Sequence, residues 1–138
     1  MLRVCVIDGQ GGGIGSAIIR RIKERSEEQV EIIALGTNAL ATAQMLKAGA
    51  NRGASGENAI VRSVRDCDVV TGPLGIIMAH ALMGEVTPVM AEAIAGCAAK
   101  KVLLPLSQDN VEVVGVHKAP LPHLVDELIE SGLKTLMN

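Results

Sequence analysis

The sequence predicts an α/β fold: a mostly parallel sheet in the order 3-2-1-4-5, sandwiched between two layers of helices. Two patterns predict it. Short, nearly continuous apolar runs alternate with segments of helical spacing, as in parallel strands buried on both faces. The first such run, Val4-Cys5-Val6-Ile7, passes through Asp8-Gly9-Gln10-Gly11-Gly12-Gly13-Ile14-Gly15 into a helical pattern. That succession is a strand, a glycine-rich turn and a helix N-terminus.

The elements follow in order. Leu2 to Ile7 is the first strand, and Ile14 to Arg25 the first helix, with Ile14, Ile18 and Ile22 on one face and basic residues toward its C-terminal end. Ser26-Glu27-Glu28-Gln29 is a polar turn, and Val30 to Leu35 the second strand. Gly36-Thr37-Asn38 opens a helix from Ala39 to Ala48, with Thr37 or Asn38 as N-cap and Gly49 as its stop. Ala50 to Ala54 reads as either a very short third strand or a turn. Gly56 to Arg65 is helical, with Ser55 as its cap, and Cys67 to Thr71 is a strand ending at Gly72-Pro73. Leu74 to Met83 reads as helical. Thr87-Pro88 starts a helix reaching Ala98, with Thr as cap and Pro at the first helical position. Lys101 to Leu106 and Val111 to Val116 read as strands. Their short connection, Ser107 to Asn110, permits only an antiparallel hairpin. A helix ending at Leu136 closes the chain. One domain spanning 1–138 accounts for all of this.

Composition narrows the function classes. The formal net charge of −2 leaves no basic footprint for nucleic acid. The chain has no Phe, Tyr or Trp, which removes base-stacking platforms and any catalytic tyrosine. Its three cysteines, Cys5, Cys67 and Cys97, form no zinc or CxxC spacing, so no metal site is expected. No apolar run has the length of a membrane span and no signal-peptide pattern is visible, so a cytoplasmic location is expected.

The glycine-rich turn is the candidate site. Backbone N–H groups at a helix N-terminus converge with the positive end of the helix dipole, which suits a phosphate, and glycine lets an anion approach closely. Asp8, Gly9, Gln10, Gly11, Gly12, Gly13, Ile14 and Gly15 are therefore expected to bind a phosphorylated ligand. Gly36, Thr37 and Asn38 end the second strand and join them on the ligand edge of such a sheet. Arg52 is the cation expected to meet a phosphate, and Asn51 is placed for a base. Gly72 and Pro73 line the inner side. His80 is the candidate general acid–base residue. The apolar segment Gly75 to Gly84 reads as either a core helix or the contact of a homodimer.

Gly9-x-x-x-Gly13-Ile14-Gly15 resembles the GxxxGxG turn of the short-chain dehydrogenase branch of Rossmann folds. That resemblance implies a Rossmann-like domain and a dinucleotide cofactor. No acid ends the second strand to hold an adenosine ribose. This turns the expectation from NAD to NADP(H), its 2′-phosphate held by Thr37, Asn38 and Arg52, or to another phosphorylated nucleotide. Nearly the whole chain also resembles a family of small bacterial proteins known only as a domain of unknown function. The residues that carry this are Ile7 to Gly15, Ala34 to Ala39, Lys47 to Ala54 and Gly72 to Ile77. The expected function is nucleotide binding as a sensing or accessory module. The alternatives are a small NADP-dependent oxidoreductase and a mononucleotide or phosphosugar enzyme.

Overall fold

A computed structural model of the chain describes residues 1–25, 30–106 and 110–137. The expected turn at Ser26–Gln29 lies outside the described residues, as does the one at Ser107–Asn110 apart from Asn110. Five parallel strands form one sheet: β1 (Leu2–Asp8), β2 (Val30–Gly36), β3 (Arg52–Ser55), β4 (Val69–Pro73) and β5 (Lys100–Leu104). Their order is β3-β2-β1-β4-β5, as the sequence predicts, and every pairing is parallel. The order reverses beside β1, so β1 and β4 flank the switch point where ligands of open α/β sheets bind.

Helices cover both faces. Helices α1 (Gly13–Arg25) and α2 (Ala39–Lys47) pack on one face with the C-terminal helical segment, which comprises α5 (Leu121–Glu127), a π-helical stretch Leu128–Leu133 and α6 (Lys134–Met137). Helices α3 (Glu57–Ser63) and α4 (Pro88–Gly96) cover the other. Ile18, Ile19 and Ile22 anchor α1 and are fully buried, each contributing about 1.5–3 kcal/mol. Polar contacts tie α1 to α5: Arg21 pairs with Asp126 at 2.5 Å, and Arg25 pairs with Glu130 of the following π-helical stretch. Thr87 caps α4 by accepting the Met90 N–H, with Pro88 at its start. Asn38 caps α2 by accepting the Ala41 N–H at 2.8 Å.

Two expectations are corrected. The C-terminal antiparallel strand is absent: residues 110–120 hold no strand. The valines of Val111–Val116 carry the apolar pattern, but Gly115 has φ +90° and a turn interrupts the extended run, leaving all four exposed. Leu74 to Met83 is not a helix. A 3₁₀ turn, Leu74–Ile77, passes into a run of turns through Glu85. His80, Leu82 and Met83 adopt left-handed φ of 70°, 56° and 57°, which no right-handed helix admits. The segment folds onto its own chain. Gly75, Ile76 and Ala81 are buried in it, while Met83 is 92% exposed.

Candidate functional site at the C-terminal edge of the sheet

The site begins with Asp8, the last residue of β1. Its carboxylate turns back under the loop, accepting the Gly9 N–H at 2.8 Å and the Gly15 N–H at 2.7 Å. The residue is 3% exposed. Burial pushes its carboxyl above the ordinary range, partly offset by N–H groups of Gly15, Gly9 and Ile14. Asp8 thus takes two of the N–H groups of the turn, those of Gly9 and Gly15, and sets the shape of the loop.

The loop is then fixed residue by residue. Gly12 donates to the Gly9 carbonyl, and Ser16 to the Gly12 carbonyl, both at 2.9 Å. Gly12 has φ +74°, and a Cβ there would lie 2.8 Å from the Ala41 carbonyl oxygen. A Cβ on Gly9 would lie 2.5 Å from Thr37 Oγ1, and one on Gly15 the same distance from Met45 Sδ. These three glycines are required by packing. Gly11 and Gly13 are not. Both are exposed, neither has a positive φ, and a Cβ on either would meet nothing within 4 Å. Their N–H groups have no acceptor among the described residues.

The neighbouring rim is built from the end of β2. Thr37 N–H continues the pairing by donating to the Asp8 carbonyl at 3.0 Å. Gly36 N–H donates to Thr42 Oγ1, which also lies 2.7 Å from Ser55 Oγ. Asn38 Nδ2 donates to the Gln10 carbonyl at 3.0 Å, joining β2 to the glycine loop.

One residue arrives here that sequence reasoning missed. Glu85, in the turns before α4, places Oε1 within 2.8 Å of Gln10 N, 2.6 Å of Thr37 Oγ1 and 2.8 Å of Asn38 Nδ2. Burial alone would raise its carboxyl, but donors from Thr37, Gln10 and Asn38 outweigh burial and hold it below the ordinary range. No local signal marks Glu85. It is one acid in a glycine-containing turn, and only the fold brings it to β2.

The remaining candidates are placed as follows. Gly72 and Pro73 close β4, and a Cβ on Gly72 would collide with the Ile7 carbonyl oxygen. His80 is exposed, and its backbone closes the turn, with its N–H donating to the Val86 carbonyl at 2.6 Å. Asn51 and Arg52 are not at this edge. Arg52 begins β3 opposite Ile33, three residues before the strand end, and its guanidinium pairs with Glu31 at 3.3 Å. Glu31 in turn pairs with Arg3, near the opposite edge of the sheet. Asn51 Oδ1 accepts the Ile32 N–H at 2.8 Å, so its side chain extends the β2 pairing. Among the described residues, no group of three His, Cys, Asp or Glu side chains is placed to hold a metal ion. No helix there is long and apolar enough to cross a membrane.

Fold and site together define an open, parallel α/β sandwich with a glycine-rich strand–helix turn at its switch point. Residues 3–137 match the family described as "Domain of unknown function (DUF3842)", and the chain belongs to that family. No curated protein matches it. Among solved structures, the chain is similar to a dodecameric FMN-dependent UbiX-like decarboxylase from Escherichia coli O157:H7. The identity is 12%, with 99% of this chain and 94% of that chain covered and a TM-score of 0.49.

The NADP(H) expectation is corrected. In this chain, the place expected for a 2′-phosphate, beside Thr37 and Asn38, holds the Glu85 carboxylate. Arg52, the counter-charge expected there, pairs with Glu31 instead.

Proposed function

We propose that the chain binds a phosphorylated nucleotide at the N-terminus of α1, as a sensing or accessory module. One observation carries this reading. Gly11 and Gly13 have no role in packing or backbone conformation, yet each costs the fold the entropy of a residue without a side chain. Both N–H groups lie near the N-terminus of α1, where the helix dipole is positive, and have no acceptor among the described residues. A ligand that comes closer than a Cβ would allow accounts for both. The rest of the rim supports a binding role, because its polar groups hold one another in fixed positions.

Calorimetric titration of the purified chain against nucleoside mono- and diphosphates, with free nucleosides as controls, tests this. Phosphate-dependent binding that disappears in Gly13→Val supports the reading. Equal affinity for nucleosides and their phosphates, or unchanged affinity in Gly13→Val, overturns it. Without Trp or Tyr, the chain also leaves the near-ultraviolet almost clear, so a copurifying base would be visible directly.

A further inference from the structure

We infer that residues 78–86 form an autoinhibitory strap, in which the Glu85 carboxylate stands in for an oxyanion of the ligand. The inference rests on the preceding reading of the adjoining α1 N-terminus as a phosphate site, which it extends to this rim. Three donors from three places in the scaffold converge on one oxygen. They are the Gln10 N–H of the glycine loop, the Thr37 hydroxyl at the end of β2 and the Asn38 amide at the start of α2, all within 2.8 Å of Glu85 Oε1. Three short donors on a single oxygen are what a site for an oxyanion offers. All three belong to the strand ends and the loop that positions α1. Only the acceptor belongs to the strap.

The strap itself is strained. His80, Leu82 and Met83 hold left-handed backbone without being glycine, and Gly84 continues the run at φ +90°. Closure is maintained by the turn bonds from His80 to Val86, Val86 to Ala81 and Glu85 to Leu82, and by Leu82, whose Cδ1 packs over Gly9. The segment follows β4 directly through Leu74–Ile77, so it leaves the sheet at the switch point and lies across the end of β1. A closed state that combines strain with an internal anion is poised for exchange. A phosphate oxygen that takes the same three donors leaves Glu85 without partners, and the strap then relaxes.

The test combines amide hydrogen exchange with calorimetry, using pyrophosphate as the probe. Saturating pyrophosphate is expected to accelerate exchange at the His80 and Val86 amides, the reverse of ordinary ligand protection. Glu85→Ala is expected to exchange faster at the same amides without ligand. It should also bind pyrophosphate at least about tenfold more tightly, the equivalent of one charge-assisted hydrogen bond no longer in competition. Met83→Gly relieves one left-handed side chain without touching a donor, and is expected to slow strap exchange and weaken pyrophosphate binding several-fold. Should Glu85→Ala fail to fold, the wild-type exchange and Met83→Gly decide the matter. Binding that leaves strap exchange unchanged or slower overturns the strap and leaves the phosphate site standing, as does Glu85→Ala binding no tighter than wild type. Absence of pyrophosphate binding in both proteins overturns the site and the strap together.

Discussion

Thr37 Oγ1 and Glu85 Oε1 lie 2.6 Å apart although 48 positions separate them in the chain. This contact supplies the end of β2 with the carboxylate that its own sequence, Gly36-Thr37-Asn38, lacks. It also makes that corner anionic, so a ligand there presents hydroxyls to Glu85 or displaces it.

The contact has a defined pH dependence. The Glu85 carboxyl lies below its ordinary value of 4.5, so its stabilising contribution is complete above that value and is lost as pH falls through the lower, folded value. Asp8, which feels the Glu85 charge, behaves oppositely. Its carboxyl is raised above 3.8, so the folded state favours its protonated form, and Asp8 costs stability as pH rises through that window. Strap exchange in wild type is expected to accelerate on acidification below about pH 4.5, and in Glu85→Gln to show no such acid step. Exchange measured across a pH series separates the two proteins. An identical acid step in Glu85→Gln would assign it to another group.

The sheet was legible in the sequence because parallel strands buried on both faces are continuous apolar runs, as in Val4–Ile7 and Ile32–Leu35. The loop was legible because so many glycines between a strand and a helix have few other uses. The strap was not. Gly75 to Gly84 is apolar enough to suggest a helix, and its left-handed turns follow from the contacts of Leu82 and Glu85 with the glycine loop, not from local preference. Arg52 and Asn51 were misjudged for a related reason. They flank a strand only four residues long, Arg52–Ser55, and which edge they face depends on its register with β2.

Two buried hydroxyls give a test of packing near the site. Ser16 Oγ in α1 and Thr71 Oγ1 on β4 have no hydrogen-bond partner among the described residues, and Thr71 is completely buried. An unpaired hydroxyl in an apolar interior costs about 1–3 kcal/mol. Thr71→Val, which keeps the shape, is therefore expected to stabilise the fold by about 1 kcal/mol in urea denaturation. A loss of stability would show that Thr71 holds a partner in solution.

Arg52→Ala separates the present site from the one the sequence suggested. The guanidinium is exposed and shares Glu31 with Arg3, so its removal should change stability by less than about 0.5 kcal/mol. Nucleotide affinity should be unchanged, since Arg52 lies away from the rim. A marked loss of affinity in titration would return Arg52 to the site.

The glycine loop itself offers the sharpest contrast, between neighbours that look alike in sequence. Gly12 has φ +74° and faces the Ala41 backbone at 2.8 Å, so Gly12→Ala should destabilise by about 1–2 kcal/mol from conformation alone, with the collision added. Gly11 and Gly13 have ordinary φ and open space, so alanine at either should stabilise by about 0.4–1 kcal/mol by restricting the unfolded chain. Denaturant midpoints measure all three variants on one scale. If the two open glycines exist for a ligand, the stabilised Gly11→Ala and Gly13→Ala variants will bind nucleoside diphosphates more weakly than wild type. Stability and affinity will then move in opposite directions. Gain in stability with undiminished affinity would leave both glycines without a ligand to explain them, and the phosphate site would have to be sought elsewhere on the sheet edge.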